Sequence, residues 1–564
     1  MGRFLSATFQ LAFLLILQAG CIAGSKHAPR GVHLSLGSND DEMVVTWQTH
    51  GPTEYSTVEY GQAGEGAAVS LRANGTQRAF VDGGPGKTER FIHVVVLTGL
   101  EPGAKYEYRV GSLDTWSEMF FFFAKRSPAQ IAAGPPVRMI AWCDVGVEES
   151  DQILALIKAE VHGDSSSSPS TSVPDVLLQC GDFAYDLDAD DGRRGDLFLD
   201  RMQAVAAHVP YMVSPGNHEE AFNFSHYGAR FNMPGQGEAS DNAYYSFDLG
   251  PVHVVAYNTE AFFWPDRFDT QYMARMYNWL EEDLRKANEN RADVPWIMVH
   301  AHRPFYCVET THAKQQRDEQ RQQRGGFMTK WPKKLRLFGD AFQEALGKVK
   351  ELGKTEGDAD ESVGRCEWER EASRKGLPSK CAAQYGMQCA LHTEALLEIE
   401  EREEEAERGA QIAFPVEDLF YKYGVDLAFF GHEHAYERYY PVYNEVVQRG
   451  PGITFDRYYQ PAATVHVVTG AGGNKNMDLG KKAVNRGQCN DSAPWCAYVS
   501  GYDTKNGHVS DFSFGKVTIY NATTLLWEQT STHEGGETID TFVIEAPTHG
   551  PFGNLDAGKG VETA

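Results

Sequence analysis

The chain has 564 residues, a net charge of −26 and a pI near 5.2. That length exceeds one ordinary domain and allows several sizeable cores. An acidic surface of this size excludes nucleic acid and anionic membrane as main partners, so an anionic substrate has to be met by locally fixed positive charge such as bound metal.

Residues 1–24 read as a secretory signal: Arg3, an apolar run over Leu11–Leu17, then the small residues Ala19, Gly20, Ala23 and Gly24. The run is too short to span a bilayer, and no later stretch has the length of a membrane helix. The polar tail, 546–564, lacks the hydrophobic end of a lipid-anchor signal, so no membrane anchor is expected. Sequons at Asn74, Asn223, Asn490 and Asn521 are expected glycosylation sites. The expected address is extracellular, or the lumen of a vacuole or lysosome.

From 27 to 125 short strands follow one another: Val32–Leu36, Met43–Trp47, Thr57–Tyr60, His93–Leu97 and Tyr106–Val110, divided by Gly, Asn, Asp and Pro clusters. This spacing predicts an all-β sandwich. The Val45-Thr46-Trp47 strand and the Leu100-Glu101-Pro102-Gly103 turn before Tyr106-Glu107-Tyr108 resemble a fibronectin type III-like domain. No residue in it is expected to carry chemistry, and its expected part is packing beside a catalytic domain.

Beyond a linker at Ser127–Pro136 the grammar changes, and residues 135–545 read as one α/β domain. Apolar runs at Val137–Trp142, Pro174–Cys180, Val209–Val213, Val252–Tyr257, Trp296–His300, Val425–Phe430 and Thr464–Thr469 predict strands. A helix over Gln271–Asn290 places Met273, Met276, Tyr277, Leu280 and Leu284 on one face. Strand–helix alternation predicts a layered α/β fold with function in the loops after strand C-termini. A dense, Gln-rich and Glu-rich charged stretch at about 313–410 breaks the pattern and reads as an insertion.

Five of these apolar strands end on metal-ligand chemistry. Asp144 follows the first; Asp182 and Tyr185 follow the second in Gly181-Asp182-Phe183-Ala184-Tyr185. Asn217 and His218 come in Gly216-Asn217-His218-Glu219, His302 in Val299-His300-Ala301-His302, and His432 with His434 in Gly431-His432-Glu433-His434. Carboxylates and a phenol suit a hard, trivalent ion, and imidazole with amide oxygen suits a divalent partner. Taken singly each piece is an ordinary turn, helix cap or core histidine; five together indicate a two-metal site.

The ordered set Asp-X-Gly, Gly-Asp-X-X-Tyr, Gly-Asn-His-Glu, Val-X-X-His and Gly-His-X-His resembles the purple acid phosphatases within the calcineurin-like metallophosphoesterases, over about 28–312 and 411–545. The resemblance implies an α-β-β-α sandwich after the N-terminal domain. It implies ferric iron held by Asp144, Asp182, Tyr185 and His434, with zinc, iron or manganese held by Asp182, Asn217, His302 and His432. His218 would face the substrate phosphate, and His312 would be the general acid. The implied activity is hydrolysis of small phosphate monoesters at acid pH by attack of a metal-bound hydroxide. Phosphodiester or nucleotide pyrophosphate hydrolysis on the same core, and a catalytically silent surface binding protein, are the alternatives. One departure is Cys143, where the family usually has glycine.

Of nine cysteines, Cys21 leaves with the signal. Cys489 can pair with Cys496, and Cys307 with one of Cys366, Cys381 or Cys389. Cys143 and Cys180, beside ligand residues, are expected to be buried free thiols.

Overall fold

The computed structural model describes residues 25–64, 69–163, 173–235, 242–263, 270–307, 414–474, 489, 493–500, 512–532 and 535–553. The signal segment, Asn490, His312 and the 313–410 stretch lie outside these described residues.

The N-terminal strands are β1 (Arg30–Leu36), β2 (Met43–Thr49), β3 (Thr57–Gln62), β4 (Leu71–Asn74), β5 (Thr76–Val81), β6 (Glu89–Leu97), β7 (Lys105–Ser112), β8 (Thr115–Trp116) and β9 (Phe120–Phe123). They form one sheet in the order β1-β2-β6-β5 and a second in the order β4-β3-β7-β8, with β9 also paired to β7. Alternate residues face inward, and Val32, Leu34, Val45, Trp47, Val58, Tyr108 and Phe122 make the sandwich core.

The catalytic domain holds β10 (Val137–Trp142), β11 (Val145–Gly146), β12 (Val176–Cys180), β13 (Phe183–Ala184), β14 (Tyr211–Ser214), β15 (Tyr245–Leu249), β16 (Val252–Ala256), β17 (Trp296–His300), β18 (Leu427–Phe430) and β19 (Tyr436–Tyr439). Then come β20 (Val442–Tyr443), β21 (Val446–Val447), β22 (Gly452–Ile453), β23 (Arg457–Tyr459), β24 (Val465–Thr469), β25 (Cys496–Val499), β26 (Ser513–Asn521), β27 (Thr524–Ser531) and β28 (Thr538–Glu545). One sheet runs β14-β12-β10-β26-β27-β28-β23-β22 and the other β15-β16-β17-β18-β24-β19-β25.

Met139, Ala141, Leu178 and Trp527 of the first sheet share a core with Val254, Met298, Phe429 and Val467 of the second. Ile140 and Trp142 turn the other way, onto Ile157 of the helix Ser150–His162 and Leu199 and Met202 of the helix Arg193–Ala206. Strands covered on both faces have no polar side to show, which is why the sequence reads as unbroken apolar runs here and as alternation in the sandwich. In the helix Thr270–Glu289 the expected face is buried through Met273, Met276, Leu280 and Leu284.

The sandwich rests on the helix Arg193–Ala206: Val32 N–H donates to Gln203 Oε1 at 2.9 Å and Tyr108 Oη donates to the Ala207 carbonyl at 2.7 Å. Asn74, Asn223 and Asn521 are exposed.

One expectation is overturned. Cys143 and Cys180 are not free thiols; they are paired as a disulfide with Cα atoms 4.8 Å apart. The reason is register: parallel pairing sets Trp142 opposite Gln179, so the next residue of each strand also stands opposite, within bridging reach. Cys489 pairs with Cys496 as expected. The partners expected for Cys307 lie outside the described residues.

Candidate metal centre

Strands β10, β12 and β14 are parallel neighbours in one sheet, and β17, β18 and β24 in the other. Their C-terminal ends open on the same edge: Cys143 N–H donates across the two sheets to the Thr469 carbonyl at 3.1 Å, and Gly431 N–H, after β18, donates to the His302 carbonyl, after β17, at 2.9 Å. The loops after β10, β12, β14, β17 and β18 therefore meet at one place.

The turns out of these strands are tight. Asp144, Asp182 and His432 have φ of 63°, 55° and 69°, a left-handed conformation that costs a side chain roughly 1–2 kcal/mol. Close approach demands glycine between them: a Cβ on Gly216 would stand 2.4 Å from Asp182 Oδ1, and one on Gly181 2.6 Å from His302 Nδ1. Glu219 binds the loops together, its Oε2 accepting the N–H groups of Asp182 and Gly216 at 2.8 Å each and its Oε1 that of Phe183 at 2.9 Å.

Two ligand groups result, and they share one residue. Asp144, Asp182 and His434 offer atoms within 4.8 Å of one another, as do Asp182, His302 and His432. Tyr185 Oη lies 2.9 Å from His434 Nε2 and 3.4 Å from Asp144 Oδ1. Asn217 Oδ1 lies 3.1 Å from His302 Nε2. His302 Nδ1 donates to the Cys180 carbonyl at 2.8 Å, which turns its Nε2 toward Asn217 Oδ1 and, 3.3 Å away, toward Asp182 Oδ1. Oxygen and nitrogen atoms gathered this closely are the donor set a cation needs.

The carboxylates carry the same message. Burial and the neighbouring Asp182 push Asp144 well above the usual carboxylate range. Burial also acts to raise Asp182, but the His302 imidazole overcomes it and holds that carboxylate low. Two buried carboxylates remain ionised together when cations neutralise them. Oxygen and nitrogen donors without thiolate fit one hard ion and one borderline ion.

His218 stands beside this floor, with Nε2 3.9 Å from Asp182 Oδ2 and Nδ1 2.5 Å from Asp186 Oδ1. Burial opposes its charge, but Asp186 and Asp182 raise its pKa to about 9.

All eight residues expected at the site among those described are thus brought together. Four others that were not expected at the site join them. Asp186 orients His218, and Asn474 Nδ2 lies 3.3 Å from His434 Nε2. Arg303 Nη1 lies 2.9 Å from His432 Nε2, while its Nε donates to both oxygens of buried Glu260 at 2.9 Å. Asn474 did have a signal, since it follows the apolar strand β24 as the ligands follow theirs. Asp186 had only its place next to Tyr185.

Known proteins align over the same regions. The profile of the purple acid phosphatase N-terminal domain matches residues 29–123, that of the calcineurin-like phosphoesterases 145–331, and that of the iron/zinc purple acid phosphatase-like protein C 463–541. Acid phosphatase type 7 of Homo sapiens is 32% identical over 540 residues, 96% of each chain, and that of Danio rerio 32% identical, over 93% of this chain and 92% of its own. Purple acid phosphatase 18 of Arabidopsis thaliana is 29% identical over 51% of this chain and 59% of its own. In fold, a purple acid phosphatase from yellow lupin seeds superposes with a TM-score of 0.59 at 19% identity, over 92% of this chain and 75% of that one.

Proposed function

The chain belongs to the purple acid phosphatases, and from that membership we propose which of its residues hold the two ions and which handle the substrate. It is a metal-dependent acid phosphatase with an iron-containing dinuclear centre whose second ion is zinc, iron or manganese. Asp144, Asp182, Tyr185 and His434 would hold the iron, and Asp182, Asn217, His302 and His432 the second ion. The observation that carries this reading is the presence of Asp182 in both ligand groups, the arrangement a carboxylate bridge requires.

Bound there, the two ions supply the charge that clamps a phosphate ester and lowers the pKa of a water enough for attack on phosphorus in acid. The chain's own contribution begins with the imidazole of His218, held by Asp186 and open enough, at 35% side-chain exposure, to meet a phosphate oxygen. Asp182 keeps its carboxylate turned toward both ligand groups because its Oδ1 also accepts the His218 N–H. Water attack releases the alcohol, whose oxygen takes a proton from a general acid, and His312 is assigned that part. The substrate is a small phosphate monoester.

The protein is secreted or delivered to a vacuolar or lysosomal lumen. Supporting this are the apolar leader at 11–17, exposed sequons at Asn74, Asn223 and Asn521, and two disulfides. No helix among the described residues is long and apolar enough to cross a membrane.

Metal analysis of purified protein together with parallel rates on p-nitrophenyl phosphate and its bis-ester tests the reading. Iron plus one further ion per chain and a preference for the monoester are expected. A metal-free enzyme of equal rate, or a preference for the diester, would overturn it.

A further inference from the structure

We propose that the N-terminal sandwich is a working part of the active site: its hairpin from Asp82 to Arg90 positions the two loops that deliver Asp186 and His218. This rests on His218 as the phosphate-facing residue, and it gives the sandwich a part in the reaction beyond packing.

The hairpin joins β5 to β6 and grips both loops. On one side Gly86 N–H donates to Asp191 Oδ1 at 2.9 Å and Arg90 Nη2 donates to the Asp191 carbonyl at 2.8 Å. Asp191 ends the loop that begins at Tyr185 and carries Asp186. On the other side Asp82 Oδ2 lies 2.6 Å from His226 Nε2, both side chains being buried. His226 belongs to the segment Ala221–Arg230, which directly follows the turn holding Asn217, His218 and Glu219. A contact of 2.5 Å between Asp186 and His218 thus bridges two loops whose far ends are fastened to the same hairpin.

Both loops need holding. Tyr185, Asp190 and Asp191 have φ of 44°, 56° and 52°, and Phe222, Asn223 and Phe224 have φ of 53°, 59° and 57°. Left-handed residues of this kind persist only when surrounding contacts over-determine them. The fastening is completed by Asp196, whose Oδ1 accepts from Arg90 Nε at 2.6 Å, Arg230 Nη1 at 2.9 Å and Gln48 Nε2 at 3.0 Å. Arg230 in turn donates through Nη2 to the Gly192 carbonyl at 2.9 Å. Arg90 and Gln48 come from the sandwich, Asp196 and Arg230 from the catalytic domain, and the bonds end on backbone carbonyls of the Tyr185–Gly192 loop.

Two guanidiniums on one carboxylate make the test clean. Removing Arg90 leaves Asp196 paired with Arg230, while buried Asp82 keeps its hydrogen bond to His226. Arg90→Met, His218→Ala and the double variant are prepared as full-length holoenzymes and assayed on p-nitrophenyl phosphate. Arg90→Met is expected to keep both metals and the visible absorption while kcat/KM falls about tenfold, and Arg90→Lys to recover part of the loss. In the His218→Ala background Arg90→Met is expected to cost less than about twofold, because a residue acting through His218 is silent once His218 is gone. Should Arg90→Met fail to fold, Asp191→Ala, at a side chain 21% exposed, breaks the Gly86 anchor and enters the same cycle. Variants within twofold of wild type, or losses that multiply fully with His218→Ala, overturn the proposal and leave the metal assignment standing. A His218→Ala enzyme as fast as wild type removes the role of His218, and the proposal with it.

Discussion

Oδ1 of Asp182 accepts the backbone N–H of His218 at 3.0 Å. The carboxylate common to both ligand groups is therefore fixed by the loop of the neighbouring strand, and the loop that presents His218 is fixed by the carboxylate. One hydrogen bond thus joins the proposed bridging carboxylate to the loop of the proposed phosphate-facing histidine.

Asp182→Asn replaces an anion shared by two groups with a neutral amide. It is expected to lose at least one metal ion per chain and to slow turnover by roughly 100-fold or more, since even outer partners of metal ligands are worth 10–100-fold. Circular dichroism is expected to show the sandwich still folded. Two ions per chain at near wild-type rate would remove Asp182 as the bridge.

Tyr185 carries the case for iron, because a phenolate on ferric iron absorbs visible light and a plain two-zinc site has no use for it. The oxidised protein is expected to be coloured. Tyr185→Phe should lose the band while keeping the fold and part of the activity. An unchanged spectrum in the variant would take tyrosine out of the ligand set.

Buried imidazoles set the acid limit of stability. Burial lowers His33, His93, His208 and His226 to about 4, and His300 and His466 to about 3. In the unfolded chain these groups titrate near 6.5. Between pH 6.5 and 4 the unfolded state takes up protons that the fold refuses, so stability is complete above that window and falls through it, by up to about 1.4 kcal/mol per pH unit for each site. His253 has the opposite sign: burial opposes its charge, but Asp248 and Asp283 raise it to about 9. Its contribution is complete below about 6.5 and is lost as pH rises toward 9. Thermal melts across pH 4–9 should peak between the two arms, with His466→Phe flattening the acid arm. A variant melting curve parallel to wild type at every pH would contradict this.

Tyr306 and Glu417, on either side of residues 308–413, are joined to each other: Tyr306 Oη donates to the carboxylate of Glu417. Loop-closure cost grows only with the logarithm of length, so removing residues 315–405 behind a short Gly/Ser bridge is expected to preserve hydrolysis of a small aryl phosphate. Loss of metal from a folded deletion variant would put the segment inside the site.

His312→Ala is expected to lower kcat more for poor leaving groups than for good ones, as loss of a general acid requires. Equal loss across a series of aryl and alkyl phosphates would end that assignment.

Much of this site was legible in the order of residues. Ligand chemistry and apolar runs are local properties, and a buried parallel strand has to end in a loop at its C-terminal edge, so Asp144, Asp182, Asn217, His302 and His432 could be placed on strand ends without coordinates. Asp186, Arg303 and the hairpin carrying Arg90 could not. Their partners, His218, His432 and Asp191, lie 32, 129 and 101 residues away in the chain, and no periodicity reports a contact of that kind. The Cys143–Cys180 disulfide depended in the same way on how β10 and β12 align. What only the tertiary structure decided was register and reach, because sequence sets what each strand end carries, and packing sets which ends meet.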